Sequence, residues 1–265
     1  MFDKVPIEKN YESISLSVRK SERKIKLSVV IPVYREEKIL EKHLKKFNDE
    51  LKKKYNFEII VSDGGSTDKT IEIAEKFADK VTVHRENRRQ TIAEGRNRGA
   101  DIAEGSVLVF INADTIPADI DKFFKTIISW AESNSYTAMA CYVSGFPDEE
   151  ILKDKIFYTL HNSYVHFLNL LGIGMGRGEC QVVRKNDFFG VGGYNDSIVA
   201  GEDFDLYRRL TKNGKIKFER DLKVYESPRR FRKYGYLRTI FYWMLNSITV
   251  MFFNRSVSKE WEAVR

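Results

Sequence analysis

Cysteine is scarce in this sequence, and the spacing of the few cysteines gives them no obvious role. Only Cys141 and Cys180 occur among 265 residues, and they do not form a CxxC pair. Two such residues are not expected to build a disulfide scaffold or a zinc site. The four histidines have no ligand spacing such as HxxxH, and we interpret each as a core or surface residue. We therefore expect a reducing, cytoplasmic compartment.

Several common segments and fingerprints are also missing. The amino terminus, Met1-Phe2-Asp3-Lys4, is charged and has no apolar core, so no signal peptide is predicted. No Walker A phosphate-binding loop occurs, which argues against a P-loop enzyme. The glycine-rich run at 172–178 does not spell GxGxxG and follows a predicted helix, so a dinucleotide-binding fingerprint is rejected.

The composition is that of a globular protein with a modest excess of positive charge. Hydrophobic residues make up 42% of the chain and charged residues 31%. The 45 lysines and arginines exceed the 38 acidic residues, giving a net charge of +7. This excess fits a polyanionic ligand, an acidic membrane surface or nucleic acid. Because no recognition helix or RNA-binding motif is present, we expect no nucleic-acid partner.

Apolar runs alternate with helical patterns in the first half of the chain. Strands are predicted at 27–33, 57–61, 81–83 and 106–111. Apolar residues at helical spacing indicate the helices between them, at Leu40, Leu44, Phe47 and Leu51, at Ile71, Ala74 and Phe77, and over 91–103. Strands that alternate with helices of this length form βαβ units, so the sequence predicts an α/β fold with a parallel sheet.

The second half and the amino-terminal segment are less regular. The pattern predicts a helix over 118–132, a strand near 136–146, a helix over 151–171, an irregular segment over 172–201 and a short helix over 202–212. The first 26 residues are polar. A short alternation at Ile14, Leu16 and Val18 indicates an arm or an edge strand there.

Residues 239–253 carry no charge and follow a basic stretch that includes Arg229, Arg230 and Arg238. The run is shorter than the ~20 residues that a membrane-spanning helix needs. One interpretation is a helix buried in the core or in a homodimer interface. The other is a peripheral helix, over 236–253, that lies in the plane of a membrane beside its basic flank. The sequence leaves both open.

The predicted strand at 106–111 ends at Asn112-Ala113-Asp114, the most informative string in the chain. Open α/β sheets bind ligands at the carboxyl ends of their strands. A carboxylate placed there can bridge a divalent cation to a substrate phosphate. The string therefore suggests a metal–diphosphate site, although Asp114 could instead cap the next helix. Asn112 is neutral where a second carboxylate could stand.

Two further strings can contact a nucleotide. Asp63 follows the second strand and precedes two glycines, so its carboxylate can accept hydrogen bonds from a base or ribose. Arg88 and Arg96 belong to a cluster of four arginines whose planar forks suit a diphosphate. The simpler interpretations are a plain turn around Asp63 and a solvated basic helix face.

Three carboxylates begin the predicted helix at 202–212, namely Glu202, Asp203 and Asp205. Acidic residues in a first turn complement the helix dipole, which accounts for one or two of them. A third adds repulsion, so the cluster hints at proton transfer. A carboxylate beside a sugar hydroxyl can act as a general base.

Taken in order, five strings resemble glycosyltransferase family 2 over residues 27 to about 230: 28–34, 61–68, 96–100, 112–114 and 201–203. The resemblance implies a GT-A fold, which is Rossmann-like with a mostly parallel central sheet flanked by helices, here followed by an apolar carboxyl-terminal helix. It implies a nucleotide-sugar-binding half over 27–116 and an acceptor-binding half over 117–228. An arm at 1–26 and a basic flank with the apolar helix at 229–265 complete the predicted organisation.

The resemblance also implies roles for residues. Asp203 is expected to be the general base, with Glu202 beside it. Asp114 is expected to bind Mn²⁺ or Mg²⁺, and Asp63 is expected to bind the nucleotide's heterocyclic base. The other expected contacts to the nucleotide-sugar come from Pro32, Val33, Tyr34, Glu36, Arg88, Arg96, Asn112, Ala113, Arg229 and Arg230. Because Asn112 departs from the Asp-x-Asp motif of the family, we expect weaker metal affinity than two carboxylates would give.

The implied activity is inverting transfer of a sugar from a nucleoside-diphosphate sugar to a hydroxyl of a glycan or lipid-linked acceptor. The enzyme would act in the cytoplasm, at the inner face of the cell membrane if the acceptor is lipid-linked. Two alternatives remain open. One is a polyprenyl-phosphate sugar synthase, and the other is a nucleotide-sugar-binding protein without turnover, which Asn112 favours and Asp203 disfavours. The sequence does not identify the base, the sugar or the acceptor.

Overall fold

A computed structural model describes residues 27–133, 135–253 and 255–257. The predicted arm at 1–26, with its alternation at Ile14, Leu16 and Val18, lies outside the described residues. Eight strands and ten helices make up the described chain, and they are, in order, β1 (Leu27–Val33), α1 (Leu40–Leu44), α2 (Asp49–Tyr55), β2 (Phe57–Asp63), α3 (Thr70–Phe77), β3 (Lys80–Val83), α4 (Ile92–Asp101), β4 (Val107–Ile111), β5 (Ile116–Pro117), α5 (Ile120–Glu132), β6 (Ala138–Gly145), α6 (Leu152–Leu170), β7 (Cys180–Arg184), α7 (Lys185–Gly190), α8 (Glu202–Leu210), β8 (Ile216–Glu226), α9 (Arg229–Tyr234) and α10 (Tyr236–Phe253).

The first half forms the predicted parallel sheet. Strand β1 pairs in parallel with β2 and β4, and β2 pairs in parallel with β3. Helices cover both faces, so Val29 and Ile31 of β1 point into one core cluster and Val30 into another. Burial on both faces explains why β1 reads as a continuous apolar run. The carboxyl ends of β1, β2 and β4 therefore meet at one edge of the sheet.

The second half continues the same sheet in mixed orientation. The strand order is β3-β2-β1-β4-β7-β6-β8-β5. Strand β7 is antiparallel to both β4 and β6, whereas β6 and β8 are parallel. The predicted boundary between the halves, at 116/117, falls within β5, which pairs with β8. One sheet thus spans both halves of the chain.

Three details of the sequence prediction are wrong. The segment 172–201, predicted to be irregular, contains β7 and α7. The sequence pattern does not predict β8, because charged and partly exposed residues such as Glu219 and Asp221 interrupt its apolar positions. The first predicted helix is divided into α1 and α2, because the Asn48 side chain accepts a hydrogen bond from Leu51 N at 3.0 Å and starts a new helix.

The last helix, α10, lies on the molecule with one narrow side buried. Thr239, Asn246 and Val250 are buried, and Val250 packs with Ile198 and Phe204. Most of its other large apolar residues are exposed. Within the described residues, no helix combines the length and the apolar character that crossing a membrane would require.

Candidate active site

The carboxyl ends of the parallel strands and the start of α8 enclose a cleft with a volume of about 520 Å³. Its position follows the rule that open α/β sheets bind ligands beyond the carboxyl ends of their strands. Twelve of the fourteen predicted site residues line it, namely Pro32, Val33, Tyr34, Glu36, Arg96, Asn112, Ala113, Asp114, Glu202, Asp203, Arg229 and Arg230. Residues from both halves of the chain are thus brought together.

Asp63 lies beneath the cleft, while its neighbours Ser62 and Gly64 line it. Its side chain is fully buried, and Oδ1 accepts hydrogen bonds from the backbone N–H groups of Gly65 and Ser66 at 2.9 and 2.8 Å. The second oxygen, Oδ2, is buried and has no hydrogen-bond partner in the described structure. A buried carboxylate oxygen without a partner is costly, so it is available to a donor group from a ligand.

The structure places Arg89 rather than Arg88 in the cleft. Arg88 is exposed and forks onto Glu94, with its Nη1 and Nη2 donating at 2.9 and 2.5 Å. Glu94 is held in place because it forms the capping box of α4 with Thr91. Arg88 is therefore drawn to the helix start. Arg89 instead lies 5.1 Å from the centre of the Tyr34 ring.

Arg96 joins three parts of the cleft. Its side chain is only 1% exposed. Nη1 donates to Glu202 Oε1 at 2.9 Å, while Nη2 donates to Asn112 Oδ1 at 3.1 Å and to the Gly178 carbonyl at 2.6 Å. The Asn112 amide oxygen is thus turned towards a cation of the protein. Glu202 is balanced by the same cation, as a buried carboxylate needs to be.

Asp203 is a half-buried carboxyl with unusual proton affinity. Oδ1 accepts a hydrogen bond from Phe204 N at 2.9 Å. Burial, followed by the charge of Glu202, raises the pKa of Asp203 to about 7, while Arg96 acts in the opposite direction. Glu202 and Asp203 are adjacent in sequence but differ in environment, since only Glu202 is bonded to Arg96. A carboxyl with a pKa near neutrality is suited to general base catalysis.

Asp114 lies at the end of β4 and is paired with a partly exposed arginine. Its Oδ2 accepts a hydrogen bond from Arg229 Nη2 at 3.1 Å. Among the described residues, no group of three or more His, Cys, Asp or Glu side chains is arranged to hold a metal ion. One carboxylate still fits a hard cation that is bound mainly by substrate phosphates and water. Asp114 can therefore help to bind a metal ion only when the phosphates of a substrate supply most of the other ligands.

A second buried ionic network was missed by the sequence reasoning. Arg177 is 2% exposed and forks onto Glu179, with its Nε and Nη2 at 3.1 and 3.0 Å from the carboxylate. Glu226 Oε1 lies 3.9 Å from Arg177 Nη2, and burial together with Glu179 raises the pKa of Glu226. All three residues line the cleft. The only signal in the sequence was an Arg-Gly-Glu string inside a glycine-rich segment.

His43 supports the Asn112-Ala113-Asp114 string from behind. Its Nδ1 lies 2.7 Å from the Ala113 carbonyl oxygen. Burial lowers the pKa of His43 to about 4, so the ring is neutral at pH 7 and donates this hydrogen bond. The sequence prediction of a core histidine fits this position. Its contact with the site was not foreseen, because α1 and β4 meet only in the folded chain.

Two helices form an aromatic and aliphatic wall along one side of the cleft. Helix α6 contributes Phe157, Leu160, His161 and Tyr164, and helix α10 contributes Ile240, Trp243 and Met244. The His161 and Trp243 rings lie 5.1 Å apart and connect the two helices. This wall makes the cleft polar at the strand ends and apolar at its outer side.

Comparison with known proteins supports the assignment of fold and family. The profile described as glycosyl transferase family 2 matches residues 28–188. A PGL/p-HBAD biosynthesis glycosyltransferase of Mycobacterium bovis (strain BCG / Pasteur 1173P2) is 34% identical over 166 residues, which is 60% of this chain and 59% of the relative. A validoxylamine A glucosyltransferase of Streptomyces hygroscopicus subsp. limoneus is 23% identical over 224 residues, covering 71% of this chain. The chain spans about half of the latter's length, at 48%.

Two solved structures show the same fold. The mannosyltransferase PcManGT of Pyrobaculum calidifontis, in complex with GDP-Man and Mn²⁺, has a TM-score of 0.60 and 18% identity, and the match covers 76% of this chain and 56% of that one. TarS 1-349 of S. aureus, in complex with UDP, has a TM-score of 0.57 and 20% identity, with coverage of 89% and 68%. The predicted α/β fold with a mostly parallel, helix-flanked sheet is confirmed.

Proposed function

The chain belongs to glycosyl transferase family 2, and from this premise we propose that it transfers a sugar from a nucleoside-diphosphate sugar to an acceptor hydroxyl with inversion at the anomeric carbon. The acceptor is a glycan or a lipid-linked molecule. The observation that carries the proposal is the presence of Asp203 and Asp114 in one cleft, where the carboxyl with the raised pKa shares a cavity with the strand-end carboxylate.

The nucleoside would bind over the ends of β1 and β2. Pro32, Val33 and Tyr34 line that part of the cleft, with Glu36 at its edge. Asp63 Oδ2, buried and without a partner, would accept a hydrogen bond from a ring N–H of the base. The two structural neighbours are described as complexes with GDP-Man and UDP, so nucleotide binding has precedent in the fold.

The diphosphate would lie between Asp114 and the arginines that line the cleft. Arg89, Arg229 and Arg230 supply positive charge there, and Arg229 can move from Asp114 to a phosphate because its side chain is partly exposed. Both terminal nitrogens of Arg96 donate to protein groups, so we assign it to positioning Asn112 and Glu202 rather than to binding phosphate. Arg88 is not assigned a role in binding.

Asp114 is the residue that would hold Mn²⁺ or Mg²⁺ together with the diphosphate. Such an ion supplies Lewis-acid stabilisation of the negative charge on a departing nucleoside diphosphate. Asn112 contributes no charge to it, because its amide is neutral. The amide oxygen also already accepts a hydrogen bond from Arg96. The Mn²⁺ in the mannosyltransferase neighbour supports a divalent cation without distinguishing Mn²⁺ from Mg²⁺.

Asp203 would take the proton from the acceptor hydroxyl while that oxygen attacks the anomeric carbon from the face opposite the leaving group. Attack from the opposite face inverts the anomeric configuration. Glu202 maintains the negative environment that raises the pKa of Asp203, and Arg96 fixes Glu202 in place. The two carboxylates thus have separate tasks, one in proton transfer and one in positioning.

Replacement of Asp203 by Asn tests the proposal. We expect sugar transfer to fall by about 10²–10⁴-fold, the range for loss of a general base, while nucleotide-sugar binding measured by calorimetry is retained. Asp221→Asn, which removes a surface carboxylate paired with Lys122, serves as the matched control and should leave transfer unchanged. Near-normal transfer by a folded Asp203→Asn protein would refute the assignment of the base.

The two other functions predict different outcomes. A polyprenyl-phosphate sugar synthase transfers to a phosphate, which needs little help from a base, so its rate would depend weakly on Asp203. A binding protein without turnover would neither transfer sugar nor hydrolyse donor in the presence of Mn²⁺. The raised pKa of Asp203 favours transfer to a hydroxyl acceptor over both of these alternative functions.

A lipid-linked acceptor would place the enzyme at the inner face of the cell membrane. Helix α10, over 236–253, is the element that would contact the membrane, because it lines the cleft with Ile240 and Met244 and exposes apolar residues on the outside. The same exposed residues would serve a homodimer interface, which is the competing role for this helix.

A further inference from the structure

Helix α6 carries an apolar stripe that no described residue covers. The exposed residues recur every three or four positions, at Leu152, Ile156, Leu160, Tyr164, Phe167 and Leu170. Leu152 is 72% exposed and Phe167 is 55% exposed. A helix of a globular protein normally turns its apolar stripe towards the core. Here the stripe faces outwards, although Phe157, Tyr158 and Val165 bury the other side of the same helix.

Helix α10 carries a second stripe of the same kind. Its exposed residues are Leu237, Ile240, Phe241, Met244, Ile248 and Phe252. Leu237 is 83% exposed and Phe241 is 57% exposed. We call the two stripes together the two-helix apolar surface. Contiguous exposed apolar patches that are large mark binding sites for proteins, ligands or membranes.

The two-helix apolar surface borders the mouth of the cleft. Leu160 and Tyr164 of α6 and Ile240 and Met244 of α10 are exposed and also line the cleft. The contact between His161 and Trp243 joins the two helices at this point. A molecule that rests on the surface would therefore lie beside the opening through which an acceptor enters.

The charges around this surface have one sign. Across α6 and α10 the only acidic residue is Asp154, which is buried and bonded to Arg232 and Tyr236, each at 2.5 Å. Lys153 and Lys155 are exposed on α6. From Ser227 to Val257 the sequence has six lysines and arginines and no acid. Arg229 and Arg230 line the cleft and Arg232 is bonded to Asp154, which leaves Lys233, Arg238 and Arg255, all exposed. Exposed Asp148 and Glu149 precede α6 and lie outside both stripes.

We infer that the two-helix apolar surface docks into the interface of a bilayer that contains anionic lipids, with the mouth of the cleft at the level of the headgroups. Apolar helix faces that lie in the plane of the interface and carry basic flanks bind in this way. The inference deepens the membrane contact proposed for α10 by adding α6 and the anionic lipid class. It does not depend on sugar transfer, because it concerns the protein without donor.

The charge pattern favours a bilayer over a second copy of the chain. In a two-fold symmetric dimer the same patch lies on both subunits. The cations that flank this surface would then face one another with no exposed acid on either helix to balance them. An anionic lipid surface balances every one of them. An orientation in the plane of the interface fits the stripes, because both run along the outer sides of their helices and have basic residues beside them.

Co-sedimentation of the full chain with lipid vesicles, without donor, tests the inference. We expect binding to vesicles of phosphatidylcholine with added phosphatidylglycerol, weaker binding to phosphatidylcholine alone, and release by salt. Each cation near an anionic surface strengthens binding by roughly five-fold. The double variant Lys233→Gln, Arg238→Gln should therefore bind about 25-fold more weakly. Lys42→Gln, Lys46→Gln, which removes equal charge around α1, should bind almost normally.

Matched aromatic substitutions distinguish binding through this surface from non-specific hydrophobic binding to the vesicles. Phe167→Ser on α6 and Phe241→Ser on α10 should each weaken vesicle binding by about ten-fold, because each removes a large apolar side chain from the contact. Phe189→Ser removes a similarly exposed ring, 43% exposed, from α7 and should have little effect. Circular dichroism of each variant checks that the fold is intact.

Three outcomes would overturn the inference. The first is absence of binding to phosphatidylglycerol-containing vesicles by the folded protein. The second is binding that Phe167→Ser and Phe241→Ser leave unchanged. The third is a stable dimer in sedimentation velocity that these two substitutions dissociate, since the surface would then belong to a second copy. Failure of sugar transfer in a protein that binds vesicles would instead count against the proposed function alone.

Discussion

At the scale of single residues, Arg96 determines what Asn112 contributes to the site. The Asn112 amide oxygen accepts a hydrogen bond from Arg96 at 3.1 Å, and Arg96 is paired with Glu202 at 2.9 Å. A carboxylate at position 112 would contact the same guanidinium. Arg96 would neutralise part of its charge and so reduce its attraction for a metal ion. The neutral residue leaves Arg96 balanced by Glu202 and leaves Asp114 as the carboxylate at the strand end.

Asn112→Asp should therefore tighten Mn²⁺ binding in the presence of nucleotide, but only moderately. One added charge a few ångströms from the ion favours binding by roughly five-fold, and Arg96 offsets part of this gain. Titration of Mn²⁺ followed by electron paramagnetic resonance would measure the change. Asn195→Asp adds the same charge to the loop before α8 and should not alter the affinity. Equal Mn²⁺ affinity for wild type and Asn112→Asp would contradict the placement of the ion at Asp114.

The raised pKa of Asp203 makes a prediction for stability. The folded-state pKa is about 7, whereas the ordinary value is 3.8. The folded state therefore holds a proton between about pH 4 and pH 7 that the unfolded state releases, and stability falls as the pH rises through this window. Asp203→Asn cannot ionise and should escape that loss. Its melting temperature should equal that of wild type near pH 4 and exceed it above pH 7.

Thermal unfolding across that pH range, followed by circular dichroism, would measure the difference. A constant difference between the two proteins at all pH values would show that Asp203 ionises normally. The same experiment strengthens the kinetic test, because a variant that is more stable and yet inactive has lost a catalytic group rather than its fold. Strained or buried functional groups commonly reduce stability in this way.

Residue types at the site could be read from the sequence, but their pairing could not. Twelve of the predicted residues line the cleft because strand ends and helix starts place them there. Arg88 and Arg89 are adjacent and chemically alike, and only the folded position of Glu94 separates them. Arg177 and Glu226 were missed because β8 had not been recognised and the partners are 49 residues apart, as their numbers show.

At the scale of elements, close contact between α4 and β1 sets the position of the arginines. A Cβ added at Gly99 would lie 2.3 Å from Val30 Cγ1, far inside van der Waals contact. Helix α4 can therefore approach the sheet only because this position lacks a side chain. The same helix carries Arg96 one turn before Gly99, so the packing of Gly99 fixes the depth at which the guanidinium enters the cleft.

Gly99→Ala should destabilise the protein by about 1–3 kcal/mol, the usual cost of overpacking, even though alanine favours helices. Chemical denaturation would measure the change in the free energy of unfolding. Gly190→Ala in α7 is the control, because the nearest atom to an added Cβ is 4.0 Å away. That variant should be neutral or slightly stabilised. Equal effects at both positions would refute the role of the close contact.

Element predictions succeeded where burial was complete and failed where it was partial. Strands β1, β2 and β4 are buried on both faces, so each contains an unbroken run of apolar residues. Strand β8 alternates between buried, partly exposed and exposed positions and has a register irregularity opposite Cys141 and Tyr142. Its charged residues hide the period of two that would have revealed it. Partial burial of this strand, next to the two-residue edge strand β5, weakens the pattern.

At the scale of the whole molecule, one sheet holds two surfaces of opposite character. The strand ends carry the polar cleft, and α6 with α10 carries the two-helix apolar surface next to it. The sequence shows the apolar run at 239–253 but does not show that an exposed apolar stripe of α6 lies beside it. Helix α6 is apolar on both sides, and only the structure distinguishes the side that packs on β6 from the side that is exposed.

The folded molecule as a whole should be stabilised by the nucleotide that it binds. A ligand that binds only the folded state at 100 times its dissociation constant adds about 2.7 kcal/mol. For a chain of this size, that corresponds to a rise of roughly 5–10 °C in melting temperature. Thermal-shift measurements with UDP, GDP and dTDP sugars, each with and without Mn²⁺, should reveal one preferred base.

Two variants in the same thermal-shift screen separate residues that bind the nucleotide from residues that act only in sugar transfer. Asp63→Asn keeps the hydrogen bonds at Oδ1 but replaces the unpaired Oδ2 acceptor with an amide donor, so the preferred nucleotide should bind about ten- to a hundred-fold more weakly. Asp203→Asn should keep the full thermal shift, since we propose that Asp203 acts on the acceptor. A shift that survives Asp63→Asn, or one that disappears with Asp203→Asn, would place the nucleotide elsewhere in the cleft and overturn the division of the site argued from its geometry.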